Sequence, residues 1–263
     1  MITDLRRRCI AVILAAVAAI SPVVSHAIEF QDETLSYRVT YKWGLIQKVA
    51  GSASLTLTKQ PSAGKYKAVL VARSLPWADK FFSVRDTLSG YMDAATMHPL
   101  HYDKSTHEGG VYRHDVINYT YSGSKIVGKC RRHKVDKKNN VTVTDTTMTA
   151  TAPAVDMLSV YYLVRNLPFE SMKVGDVNRS TLFSGKKLEK LALKYDGIAT
   201  IKLNGTSYEC YKISFSFSSE RMNNSSAPMT AWIWREGSRI PIKLVGELTI
   251  GEVQVLWNGE KKK

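Results

Sequence analysis

The chain has 263 residues, 44% hydrophobic and 23% charged, with a formal net charge of +14 at pH 7. That composition excludes a disordered or collagen-like chain, and three cysteines in this length exclude a disulfide scaffold. The positive balance favours anionic partners such as lipid phosphates, acidic lipids, anionic glycans or nucleic acid, without choosing among them.

The first 27 residues, MITDLRRRCIAVILAAVAAISPVVSHA, carry three arginines, then an apolar stretch from Cys9 to Ile20, then Ser25-His26-Ala27. This is the pattern of a cleaved export signal, so residues 1–27 are read as a signal peptide and the protein as periplasmic. Cys9 follows the arginines rather than the apolar stretch, so no lipobox and no lipid anchor are expected. The stretch is too short for the roughly 20 residues of a membrane span, and no second long apolar run follows, so the mature chain is expected to lack a transmembrane segment. Its charge is about +12, because the signal removes three arginines and one aspartate. Residues 28–258 are predicted to form a single domain, and the lysine-rich residues 259–263 a disordered basic tail. Of the two remaining cysteines, Cys130 and Cys210, the pattern permits either one disulfide or two buried thiols.

In chain order the strand signals begin at LSYRVTYKW. There Leu35, Tyr37, Val39, Tyr41 and Trp43 share one face and Ser36, Arg38, Thr40 and Lys42 the other. VAGSASLTLT (49–58) repeats the alternation, QPSAG supplies a turn, and YKAVLVARS follows. PWADKFFSV (76–84) predicts a short turn of helix between strands. Further alternating runs occupy 84–92, 111–121, 125–134, 141–149, 177–183, 188–203, 208–218, 229–235 and 242–257. Asn204-Gly205, Asp196-Gly197, Ser122-Gly123 and Asn139-Asn140 punctuate them as hairpin turns. Short connections and no regular strand-helix alternation predict antiparallel pairing in sequence order.

One segment breaks the pattern. In VDMLSVYYLVRNLP, Met157, Val160, Tyr161 and Val164 follow helical spacing, and Leu158, Tyr162 and Leu163 widen the apolar stripe until little polar face remains. Asp156 can cap the helix, and Pro168 ends it, so Asp156 to Asn166 is predicted helical. A helix apolar nearly all round needs enclosure, and in a mainly-β chain the concave side of a curved sheet provides it.

Motifs for catalysis are absent from the sequence: there is no G-x-S-x-G, no phosphate-binding glycine loop and no H-E-x-x-H. Ser159 is read as structural, and no enzyme, cofactor or metal site is predicted. His98, His101, His107 and His114 lie in HPLHYDKSTHEGGVYRHD, where strand parity separates the first two and only the Gly109-Gly110 turn brings the last two together. They are read as hairpin surface residues. The basic run CRRHKVDKK (130–138) is read as a solvated hairpin tip. Nucleic acid is not an expected partner, because the aromatics lie at core-facing positions rather than interleaved with that run.

The aromatics supply the candidate ligand-binding residues. Tyr161 and Tyr162 sit on the enclosed helix with Arg165 at its C-terminal end, Trp232 and Trp234 share a face of a late strand, and Trp43 lies near an early turn. Core packing and a ligand trough would use the same side chains. Arg165 would either hold a head-group anion or complement the helix dipole.

Three blocks, FQDETLSYRVTYKWGLIQKVAGSASLTL, DMLSVYYLVRNLPFESMKVGD and WIWREGSRIPIKLVGELTIGEVQVLW, resemble the exported bacterial family known as domain of unknown function 3108. Glu33, Leu35, Tyr37 and Gly51 fit the first block, Asp156, Leu158, Ser159, Tyr162, Arg165 and Gly175 the second, and Arg239, Pro241 and Gly251 the third. Asp32 and Glu236-Gly237 depart from the family's pattern. The resemblance implies a strongly curved antiparallel sheet, a half-barrel or open barrel similar to lipoprotein carriers, with one central helix on its concave side. It implies no reaction. The expected function is a non-enzymatic envelope protein that binds a lipid or other amphipathic molecule between helix and sheet. The alternative is a structural or protein-interaction module of the envelope with a filled core.

Overall fold

The computed structural model describes residues 28–218, 229–248 and 250–262; the expected export signal lies outside them. Strands β1 (Glu33–Trp43), β2 (Ile46–Gln60), β3 (Lys65–Ser74), β4 (Arg85–Asp93), β5 (Pro99–Glu108), β6 (Val111–Ser122), β7 (Lys125–Val135) and β8 (Val141–Thr151) form an antiparallel meander in sequence order. A second meander runs through β10 (Val177–Ser184), β11 (Lys187–Leu203), β12 (Thr206–Ser218), β13 (Met229–Trp234), β14 (Pro241–Glu247) and β15 (Glu252–Lys262). Antiparallel pairing of β1 with β15 joins the two, and the short β9 (Ala154–Asp156) lies parallel to β10 at one edge, which completes a sheet of 15 strands.

This sheet curls until it nearly closes into a barrel. Phe183 of β10 reaches across to β6 and β7, its ring 5.1 Å from that of Tyr119 and packed over Gly128. A Cβ at Gly128 would lie 2.7 Å from the Phe183 ring, so the close approach needs glycine there. Closure removes most of the exposed edge that a long antiparallel sheet would otherwise offer to aggregation.

Two short helices accompany the strands: α1 (Pro76–Asp79) between β3 and β4, and α2 (Ser159–Arg165) packed inside the curved sheet. The enclosed helix is shorter than the sequence predicts, but Asp156 caps it as expected. Its Oδ1 accepts the backbone N–H groups of Leu158 at 2.9 Å and Ser159 at 2.7 Å, while the Ser159 hydroxyl accepts the N–H of Asp156 at 2.8 Å. Ser159 thus takes part in the cap. Burial pushes the Asp156 carboxyl above its ordinary range, against the pull of those donors.

Leu158, Tyr162 and Val164 are buried in the barrel, as the apolar stripe requires. Leu158 and Tyr162 join one cluster with Phe30, Leu55, Leu57, Tyr102 and Phe183. Val164 joins another with Leu191, Leu193, Tyr211 and Ile233. Apolar burial at ~25 cal/mol per Å² makes such a helix a large contributor to the core. Its end is held by charge: Arg165 is 0% exposed and meets the buried Glu33 of β1 through both terminal nitrogens. Its Nε donates to the Ser238 carbonyl at 2.9 Å, and its guanidinium lies 4.5 Å from the Phe30 ring centre.

Three local expectations are corrected. Cys130 and Cys210 do not form a disulfide: both are free and buried, one in the cluster around Leu158 and Tyr162 and the other beside Leu35 and Trp257. The lysine-rich end is not a disordered tail, because β15 runs to Lys262 and its backbone pairs with Leu35 and Thr34 of β1. The run 242–257 is two strands, β14 and β15, and HPLHYDKSTHE, unassigned from sequence, supplies β5.

Two outcomes follow from these contacts. Replacing Arg165 with Met leaves the buried Glu33 carboxylate without its guanidinium, and loss of about 3–5 kcal/mol is expected in equilibrium chemical unfolding; Glu33→Leu/Arg165→Met should cost less than the single change. Burial raises the thiols of Cys130 to about 11 and Cys210 to about 12. Both should therefore resist a thiol reagent in the native protein at pH 8 and react fully after denaturation.

Candidate functional site

The inner face of β1 divides the trough in two. Toward the start of the strand, Leu35 and Tyr37 face filled core, and the Tyr37 hydroxyl hydrogen-bonds that of Tyr161 on α2 at 2.7 Å. Farther along the same face come Val39, Tyr41 and Trp43. They line a cavity of about 870 Å³. That volume falls within the range of roughly 300–1,000 Å³ typical of small-molecule sites.

Neighbouring strands contribute small side chains to the same space: Ala50, Gly51 and Ser52 from β2, and Ala72 and Ser74 from β3. Register explains why they meet, since Val39 stands opposite Gly51 and Val255, and Gly51 opposite Ser74. A Cβ on Gly51 would come within 2.6 Å of the Arg73 carbonyl oxygen, so the close approach of β2 and β3 depends on glycine. Val253 of β15 closes the far wall.

The segment between β3 and β4 caps the cavity with Trp77, Ala78, Phe81 and Phe82, and Leu248 of the β14–β15 turn flanks it. A bulge places the cap. The β1–β2 register slips between Val39 and Thr40, and the carbonyl of Ala50 accepts the N–H of Leu75 at 2.8 Å. Trp77 donates its indole N–H to the Val49 carbonyl at 2.8 Å, with Lys48 Nζ 4.1 Å from its ring. Asp79 bonds Ser74 and pairs with Arg85 at 2.7 Å, and those hydrogen bonds, Arg85 first, hold its carboxyl below the usual range. On the other side, Tyr41 donates to the Ile250 carbonyl at 3.0 Å.

The candidates from sequence part company here. Trp43 lines the cavity. Tyr162 is buried core, Tyr161 is bonded to Tyr37, and Arg165 is buried against Glu33. Trp232 and Trp234 do share a face, but alternation along β13 turns them away from the face of Ala231 and Ile233, which packs with Val164. Trp232 lies between Lys212 and Lys243, and Trp234 packs edge-on to Tyr208.

Sequence reasoning missed Trp77, Phe81, Phe82, Gly51, Ala72 and Val253. The usable signal was the Phe81-Phe82 doublet, one half of which a short helical turn cannot bury. A smaller hollow of about 340 Å³ beside Pro153 is walled by Arg179, Lys190 and several serines and threonines, and resembles ordinary solvated surface. The histidines are engaged separately: His98 stacks on Tyr121, His101 meets Asn118 at 2.8 Å, and His114 meets Asp103 at 3.0 Å. His107 stands opposite Tyr112, so the Gly109-Gly110 turn does not join it to His114.

Residues 36–256 match the family described as "Protein of unknown function (DUF3108)". No curated protein matches the chain. Among solved structures, it is similar to a beta-barrel-like protein of domain of unknown function DUF1849 from Brucella abortus. The TM-score is 0.59 at 9% identity, over 88% of this chain and 97% of that one, a likeness of fold alone. A putative exported protein with a YmcC-like fold from Bacteroides fragilis aligns at TM-score 0.39 and 8% identity, over 90% of this chain and 100% of the other.

The start of β4 carries an unusual carboxyl. Asp86 accepts the N–H of His107 at 3.2 Å, and burial, then the charge of Glu108, raises it from 3.8 to about 6, with Lys104 opposing. Since the folded carboxyl holds its proton more tightly than the unfolded one, its contribution to stability is greatest below about pH 4, falls as pH rises to about 6, and is flat above. Asp86→Asn, which retains an acceptor for His107, should raise the melting temperature at pH 7.5 and leave it nearly unchanged at pH 4; calorimetry at the two pH values checks both.

Proposed function

Given that the chain belongs to the DUF3108 family, we propose that it is an exported envelope protein that binds the apolar part of a lipid or other amphipathic molecule in the end cavity, without catalysing a reaction on it. The observation that carries this reading is the cavity of about 870 Å³, walled by Val39, Tyr41, Trp43, Ala72, Trp77 and Val253 at an unfilled end of the barrel. Arg73 is the one cation among the described residues that line it and is exposed, which suits a polar or anionic end left at the mouth while the chain lies inside. The leader sequence of residues 1–27 supports the compartment.

The ligand's place differs from the sequence expectation. Space between α2 and the sheet is taken up by Tyr162, Phe30 and the Arg165–Glu33 pair, and the proposed site begins where the helix stops covering β1. That filled half also favours the second reading, an interaction module with no ligand.

Transfer of about a dozen methylenes at ~0.8 kcal/mol each gives ~10 kcal/mol. Association costs at least ~4 kcal/mol of this, so dissociation constants on the order of 10–100 μM are expected for a single chain. Titration with N-phenyl-1-naphthylamine should show enhanced fluorescence that dodecanoate displaces. Ala72→Phe, which fills the cavity from β3, should weaken binding at least tenfold with an unchanged melting temperature. No enhancement, or equal binding by parent and variant, would select the module without a ligand.

A further inference from the structure

Seven of the fifteen large hydrophobic residues exposed among the described residues gather at one end of the barrel, around the mouth of the cavity. They come from three neighbouring connections. Trp43, Leu45 and Ile46 lie at the β1–β2 turn, Phe81 and Phe82 follow α1, and Leu248 and Ile250 lie in the β14–β15 turn. Pairing of Lys42 with Glu252 and of Gly51 with Ser74 sets these connections side by side. Phe81 is 84% exposed and Ile250 62%. A contiguous apolar rim of this kind on a folded domain marks an interaction surface.

We infer that this rim docks on an anionic lipid bilayer, with the cavity mouth facing the membrane. Charge selects that partner. Lys42, Lys48, Arg73, Lys80 and Arg85 stand at the rim against Asp79, Glu247 and Glu252. Asp79 is occupied by Arg85 and Glu252 by Lys42, and no ion pair among the described residues engages Lys48, Arg73 or Lys80. Apolar tips that enter the interface, with cations around them at the level of phosphates, are the two signals that peripheral membrane binding combines. Trp43 suits the boundary itself, where indole rings concentrate. Ile28 is held at the opposite end of the barrel, its N–H bonded to Asn166 Oδ1 at 2.8 Å beyond the last turn of α2.

Docking does not need a loaded cavity, since Leu45, Ile46 and Ile250 of the rim lie outside its lining. Sedimentation of the purified protein with vesicles of phosphatidylethanolamine and phosphatidylglycerol tests it. Phe81→Ser/Phe82→Ser should lower the partition coefficient at least ~tenfold. Leu45→Asp, at a fully exposed position that cannot disturb the core, should act in the same direction. Lys80→Gln, high salt, or replacement of the anionic lipid by phosphatidylcholine should each weaken binding several-fold. Ala72→Phe should leave vesicle binding within twofold of the parent.

Equal partition of the parent and the rim variants would overturn the inference. So would a concentration-dependent dimer that Leu45→Asp abolishes in the absence of lipid, because the rim would then belong to a second copy. Protein that takes up the dye but ignores vesicles overturns docking alone. Protein that binds vesicles but not the dye overturns the cavity reading and leaves docking standing.

Discussion

A guanidinium withdrawn from water must be paired where it lies, and the burial of Arg165 against Glu33 is the constraint from which the rest of the molecule follows. One strand, the interior helix and the loop before β14 meet at that pair, through the Glu33 carboxylate, the end of α2 and the Ser238 carbonyl. Arg239 next in the chain reaches back to the Leu167 carbonyl at 2.7 Å, so the loop is clasped from both sides. Such a pair contributes less to net stability than its Coulomb attraction suggests, because two charges have been desolvated. Its effect is positional. A greasy helix could slide along a greasy trough at little cost, and a buried guanidinium tied to Glu33 and to the Ser238 carbonyl prevents it.

Fixing the helix at one end leaves the other end of the trough bare. The division falls between Tyr37, bonded to Tyr161, and Val39, which lines open space. Beyond it the wall residues shrink to Gly51, Ala50 and Ala72, where the filled half has Leu55, Leu57 and Leu70 on the same strands. Large side chains there would have filled the barrel and made the cap redundant. Instead the β2 bulge turns a carbonyl out to hold Leu75, and Trp77 bridges back to β2. The cap rests on a few hydrogen bonds and one ion pair rather than on buried apolar area, which places it toward the low-stability end of the molecule where binding elements are usually found.

Much of the architecture was legible because strand alternation is a local signal. Leu35, Tyr37, Val39 and Tyr41 announce the inner face of β1, and the unbroken stripe from Leu158 to Val164 announces a helix that must be wrapped. What escaped depends on tertiary context. The strand at 259–262 is made by backbone pairing with β1, to which lysine side chains are indifferent. β5 carries histidines and charges that mask its alternation. Arg165 looks like any basic residue at a helix terminus until Glu33, 132 positions away, is brought to it. The cavity was hardest to foresee, since it consists of what is missing, and small residues in a strand read equally well as weak core.

Rim and core obey opposite rules within one sequence, and the contrast bears on how the chain stays folded in water. Each exposed aromatic at the mouth forgoes a burial gain of order 1.5–3 kcal/mol, yet Phe81 and Phe82 lie on a connection only a few residues from covered positions. Burying them would require the cap to fold inward over Val39 and Val253 and take the volume the cavity now holds. An open cavity and an exposed rim are therefore one structural choice rather than two, because the side chains that could fill the first are those that form the second. The high positive charge makes that choice tolerable in solution, since like-charged molecules repel before their apolar ends can meet. Near an anionic surface the same charge changes sign in its effect and draws the apolar end toward lipid.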